Sequence, residues 1–352
     1  MPPFPNRGQK RDNLPMDRTN TPLPSSVHSR DLFTATAIYG VILIAFWLVA
    51  GHISLGARIG HMGSTFAAFS LVFAPYWFFG FGAAEALQRA LDGRASRVFA
   101  PALLVVPYLV YALPRGEFRW AYFFVFLALP MGISALFAFQ PPVQTGPAGP
   151  RLGWQDLAAL AAVGLPVEFN WMGGAFPHDG LSALPKLLLV DAGLYAFLVV
   201  RQLEGVGYDF RPRMRDLLTG LRELVFFAPI VIVLGMGLQF IRPHAGLPRA
   251  ATALQGLLVT FFFVAVPEEL FFRGWLQNLL EGRLGRHRAL GVAAAIFGLS
   301  HYNKPLPFNW RYVLLATLAG VFYGRAWREQ RRLLPSAITH TLVDVLWTLW
   351  FR

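Results

Sequence analysis

Apolar runs recur along almost the whole chain, at about 33–50, 65–87, 98–113, 120–139, 157–171, 186–200, 224–241, 253–280, 289–302, 312–326 and 336–351, with short polar connections between them. A hydrocarbon layer is crossed by about 20 mostly apolar residues. Most of these runs approach that length, and short connections are what a compact helical bundle needs. The expected fold is therefore all-α, a polytopic transmembrane helical bundle of about 10–11 spans. A chain that is 55% hydrophobic and 14% charged is too apolar for a soluble domain, which agrees with that reading.

Residues 1–31 have a different composition. They are rich in Pro, Asn, Ser and Arg and lack an apolar run, so they cannot bury a core and read as a disordered tail with no cleavable signal peptide. With the tail placed inside, the inward segments carry 21 Lys and Arg and the outward ones nine, leaving aside Arg273 within a run. That asymmetry puts the N-terminus in the cytoplasm of a multi-pass protein of the cytoplasmic (inner) membrane. It depends on 157–171 being a true span. The net charge of +12 could suggest nucleic acid, but the basic residues are dispersed among loops, so no nucleic-acid partner is expected. The absence of cysteine excludes disulfides, thiolate metal sites and a cysteine nucleophile.

Four regions follow: the tail 1–31, a multi-span region 32–202, a segment 203–223 and a membrane region 224–352. In the third, GYDFRPRMRDLLTGLREL alternates basic and apolar residues at helical spacing and reads as an amphipathic helix lying in the headgroup layer. The multi-span region also holds three isolated carboxylates inside apolar runs, Glu85, Glu168 and Asp191. An ion or proton path is one reading, and a buried, hydrogen-bonded polar contact is the plainer one.

The stretch AVPEELFFRGWLQ is harder to explain by packing. From Thr252 to Leu280 only Glu268, Glu269 and Arg273 are ionisable. A charge at bilayer depth costs at least about 2.5 to 3.5 kcal/mol, so each needs compensation. Glu269 and Arg273 stand four apart in the order that favours an intrahelical pair. Glu268, turned about 100° away, is left without that cation and is a candidate general base. The next apolar run repeats the spacing with Phe297 and His301, and the last with His340 and Asp344. At 1.5 Å per residue, Glu268 and His301 lie about 20 Å from their inner helix ends but His340 only about 7 Å beyond Pro335. Either the 328–335 connection dips inward or the helices are offset.

The ordered trio EExxxR (Glu268, Glu269, Arg273), FxxxH (Phe297, His301) and HxxxN/D (His340, Asp344) resembles the CAAX protease and bacteriocin-processing (CPBP) family, which includes type II CAAX prenyl endopeptidases and bacterial Abi proteins. The resemblance covers about residues 225–352. It implies a CPBP-type helical core and an intramembrane glutamic endopeptidase acting on a membrane-associated protein or peptide. In those roles Glu268 and His301 would activate a water, Glu269 and Arg273 would hold the site together, and His340 with Asp344 would face the developing oxyanion. No cofactor is implied. A divalent metal on two His and a Glu stays open, but HExxH is absent and Arg273 would sit beside the cation.

Other readings fit less well. A rhomboid-like serine protease needs GxSG and a presenilin-like aspartyl protease needs GxGD, and neither motif occurs. A catalytically silent scaffold or bacteriocin immunity protein that kept the fold is the main rival, and a proton-coupled transporter is a more distant one. Intact Glu268, His301 and His340 favour the enzyme.

Overall fold

A computed structural model describes residues 29–52, 60–139, 145–146, 149–244, 250–304 and 308–351, so the tail up to residue 28 lies outside the described residues. The helices are α1 (Ser29–His52), α2 (Met62–Phe79), α3 (Ala83–Ala90), α4 (Arg94–Ala112), α5 (Trp120–Ala138), α6 (Trp154–Glu168), α7 (Ala183–Val200), α8 (Met214–Gly237), α9 (Ala250–Leu284), α10 (Arg286–Leu299), α11 (Trp310–Gln330) and α12 (Leu333–Trp350). Extended pairing among the described residues is confined to a two-residue antiparallel rung, Thr145–Gly146 against Gly149–Pro150, and an isolated antiparallel bridge between Pro243 and Phe351. The fold is an all-α polytopic bundle. By length and composition alone, 7 helices can cross a membrane: α1, α2, α4, α5, α7, α8 and α9.

Contacts between connections show which helix ends sit together. At one end Arg201 meets Asp156 at 3.0 Å, Arg331 meets Glu281, and Arg332 meets Asp209 and, at 3.0 Å, Asp216. At the other end His178 meets Glu117 at 2.7 Å, Lys304 meets Glu168 at 3.6 Å, and His244 N–H donates to the Trp350 carbonyl at 2.7 Å. The helices from α6 to α12 each have their ends in, or next to, these two sets of contacts. This includes α6, which is only 15 residues long and covers 157–168 of the weak run, with Asp156 at the first end and Glu168 at the second. The described connections that the charge count placed inside, from 88–97 to 325–335, converge at the first end, hereafter the basic end.

Three local expectations change. Glu85 is not inside a span. Gly80 and Gly82, the latter at φ 91°, stop α2 at Phe79, and Glu85 lies exposed on the separate α3. Glu168 ends α6 and is paired with Lys304. Asp191 is fully buried, yet neither of its carboxylate oxygens is hydrogen-bonded among the described residues.

The 203–223 segment is not one amphipathic helix. Gly205 and Gly207 adopt φ 74° and 75° and Pro212 cannot supply an N–H, so 203–213 is irregular. The Asp216 carboxylate then accepts from Arg213 N–H at 3.0 Å, and α8 begins at Met214 and continues without a break to Gly237.

That irregular loop positions α12. A Cβ at Gly207 would lie 2.3 Å from the Arg331 carbonyl oxygen, so only glycine allows this approach. Across it Leu333 N–H donates to the Gly207 carbonyl at 2.9 Å and Trp327 Nε1 donates to the Val206 carbonyl at 3.1 Å. Arg332 is buried here. Loss of solvation works against its charge, but Asp216 and Asp209 more than offset this and hold the guanidinium above its ordinary pKa. The α11–α12 turn therefore dips into the bundle, and Leu333 to Ser336 are already buried at the start of α12. His340 and Glu269 meet there despite their different distances from the helix ends.

Candidate active site

The site is built on α9. Pro267 removes one backbone donor, and the helix winds wider on both sides of it, with π-helical turns at Phe261–Ala265 and Leu270–Gln277 flanking the α-helical Val266–Glu269. Glu269 and Glu268 leave this segment in different directions. Glu269 is fully buried against α12, whereas Glu268 lines a cavity.

Glu269 carries the densest set of contacts. Its Oε2 lies 3.1 Å from Arg273 Nε and also meets Ser336 Oγ. Its Oε1 lies 2.8 Å from His340 Nδ1, and since a carboxylate only accepts, Nδ1 carries the proton. Arg273, equally buried, donates from Nη2 to the Gly320 carbonyl at 3.1 Å and lies 4.5 Å over the Phe297 ring. One buried ion pair within α9 therefore joins three helices: its cation bonds the α11 backbone at Gly320 and its anion fixes the orientation of His340 on α12.

With Nδ1 held, His340 presents Nε2 to Asp344 Oδ2 at 3.5 Å and Glu268 Oε2 at 4.0 Å. Tyr323 stacks on the imidazole at 4.6 Å with the planes 16° apart, which fixes its tilt. His301 closes α10. Its Nδ1 lies 2.9 Å from the Phe297 carbonyl, so that nitrogen is the donor and Nε2 keeps a lone pair. Tyr312 packs against the His301 ring at 4.8 Å. Glu268, His301, His340 and Asp344 all line one cavity of about 650 Å³ between α8 and the helices α9 to α12, with otherwise largely apolar walls. It extends toward the end opposite the basic one, where Lys304 and His244 line it.

All six residues singled out in the sequence come together: Glu269, Arg273 and His340 in direct contact, Glu268 and Asp344 beside them, and His301 on the wall of the same cavity. Sequence reasoning missed Ser336, Tyr323 and Gly320. Ser336 was detectable, being four residues before His340 on the same helical face. Tyr323 and Gly320 carry no such signal, because α11 has neither a carboxylate nor a histidine at their spacing. Among the described residues no group of three or more His, Asp or Glu side chains is arranged to hold a metal ion. His340 has Nδ1 committed to Glu269.

The fold and site define a multi-pass membrane protein with a polar, partly charged centre opening on an apolar cavity. Residues 250–346 match the family model described as type II CAAX prenyl endopeptidase Rce1-like, a protease family, and all six site residues fall within the match. The C-terminal region is thus similar to that family, consistent with the CPBP resemblance, over a match that covers under a third of the chain. Neither curated proteins nor solved structures yield a match.

Proposed function

We propose that the chain is an intramembrane glutamic endopeptidase that hydrolyses a peptide bond of a membrane-associated protein or peptide. The observation that carries this reading is Glu268. Its Oε2 has no hydrogen-bond partner among the described residues, and the side chain borders the apolar cavity beside two histidines. A carboxylate on an apolar wall with no hydrogen bond on Oε2, and with His340 Nε2 4.0 Å away, costs stability, and chemistry explains why it is kept.

In the proposed reaction a water held by Glu268 and His301 Nε2 attacks the peptide carbonyl carbon and Glu268 takes its proton. The carbonyl oxygen becomes an oxyanion, which His340, as an imidazolium with a proton on each ring nitrogen, stabilises by donating from Nε2. Collapse breaks the C–N bond, and the proton held by Glu268 passes to the leaving amine. Glu269 orients His340, Arg273 neutralises Glu269, and Asp344 keeps His340 Nε2 protonated while the oxyanion forms. A silent scaffold or immunity protein would have no use for a Glu268 left without a hydrogen bond on Oε2 at the cavity wall, and the intact set favours the enzyme.

The test is cleavage of membrane-proximal peptides by the purified chain. Activity is expected to survive chelators and to resist serine- and cysteine-directed inhibitors. Loss on chelation with recovery on adding zinc would replace this mechanism with a metal-dependent one, and inability to cleave any membrane-associated substrate would favour the scaffold.

The same reading places the protein in the cytoplasmic (inner) membrane with its N-terminus and basic end in the cytoplasm, supported by the 21 to nine distribution of Lys and Arg. Reporter fusions at residues 28 and 207 are both expected to read cytoplasmic. A fusion at 207 that reads outside would show that α6 does not cross.

A further inference from the structure

Away from the active site, the basic end holds a second cavity of about 190 Å³ whose walls are entirely charged: Arg222 and Glu223 of α8, Arg286 of α10, and Arg325, Arg328 and Glu329 of α11. Arg222 and Arg325 are accounted for. Arg222 pairs with Glu223 at 2.7 Å and with Glu329, and Arg325 pairs with Glu223 at 3.2 Å. Arg286 and Arg328 have no carboxylate partner among the described residues, and the nearby Glu281 is taken by Arg331. Instead they are held together, with Arg328 Nη1 donating to the Arg286 carbonyl at 3.1 Å. Two cations crowded around a polar hollow repel each other unless an anion joins them.

The surroundings identify that anion. Arg286 is the first residue of α10, a 14-residue helix, so the positive end of that helix adjoins the cavity that Arg286 lines. Leu218, Val225 and Phe226 lie one helical turn from Arg222 on its own face of α8, and all three are exposed. The α8 segment alternates basic and apolar residues in the headgroup-layer pattern, and its first turns bring Arg222 to the cavity while Val225 and Phe226 continue into the bilayer. A charged hollow at the interface with an apolar strip leading inward fits an amphiphile with an anionic head.

We propose that this cavity binds the phosphate of an anionic phospholipid from the leaflet at the basic end, with an acyl chain lying along Val225 and Phe226. Arg286 and Arg328 supply the free charge, and Arg222 and Arg325, tied to Glu223, shape the pocket.

The full chain, delipidated in neutral detergent, is titrated with phosphatidylglycerol, with phosphatidylcholine of the same chains, and with inorganic phosphate, reading lipid retention by native mass spectrometry and thermal melting. Phosphatidylglycerol is expected to bind and raise the melting temperature, and the other two are not. Each of R286Q and R328Q should weaken that binding about five-fold, the value of one cation near an anionic surface. R288Q, which removes an exposed charge outside the cavity, should change it less than about two-fold. Equal response to phosphatidylcholine, unchanged binding by R286Q and R328Q, or a full response to inorganic phosphate alone would each overturn the proposal. If R328Q melts anomalously because its bond to the Arg286 carbonyl is lost, R286Q decides.

Discussion

Replacing Glu268 by glutamine is expected to leave a folded protein that still binds substrate but turns over at least about 10²-fold more slowly. The isostere keeps the shape of the side chain and removes its ability to take a proton. Little stability should be lost, because Glu268 Oε2 makes no hydrogen bond among the described residues and its neighbour His340 is 4.0 Å away. The contrast with Glu269 is the control within the experiment. Glu269→Gln weakens the contacts to Arg273, Ser336 and His340 together, so it should lower the melting temperature as well as the rate. The measurement is single-turnover cleavage beside a thermal melt in the same detergent. Near-normal turnover by Glu268→Gln would remove Glu268 from the mechanism.

Arg273→Ala is expected to destabilise the fold by about 3 to 5 kcal/mol, the usual consequence of stranding one partner of a buried ion pair. The guanidinium is fully buried, 3.1 Å from Glu269, bonded to the Gly320 carbonyl and stacked over Phe297, so nothing in the site can replace it. Because Glu269 in turn holds His340, the loss should spread to α12. Low yield or a lowered melting temperature is the expected result, with Arg273→Lys recovering part of it by restoring the charge without the planar fork. A well-expressed, fully stable but inactive Arg273→Ala protein would show instead that Arg273 takes part in the chemistry.

The helical class, the order of the apolar runs and the i, i+4 pairs were legible without coordinates because all three are local. A run of about 20 apolar residues in lipid has to satisfy its own backbone, and residues four apart on a helix share a face whatever surrounds them. Glu269 and Arg273 pair for that reason, and His340 and Asp344 lie 3.5 Å apart for the same reason. Where a helix starts was less legible. The basic–apolar alternation of 203–223 is real, but Gly205, Gly207 and Pro212 break its first half, and α8 absorbs the second half into a span.

Contacts between helices were decided by the tertiary structure alone. The bond from His340 to Glu269 joins residues 71 apart in the chain, and it depends on the seating of the α11–α12 turn, which Gly207, Arg332, Asp209 and Asp216 hold. None of these four lies in the motifs that mark the site. Tyr323 over His340, Ser336 on Glu269 and the cavity that isolates Glu268 depend likewise on the depth and rotation of each helix against its neighbours. Those quantities are set by the packing of many side chains at once, which no single spacing in the sequence encodes.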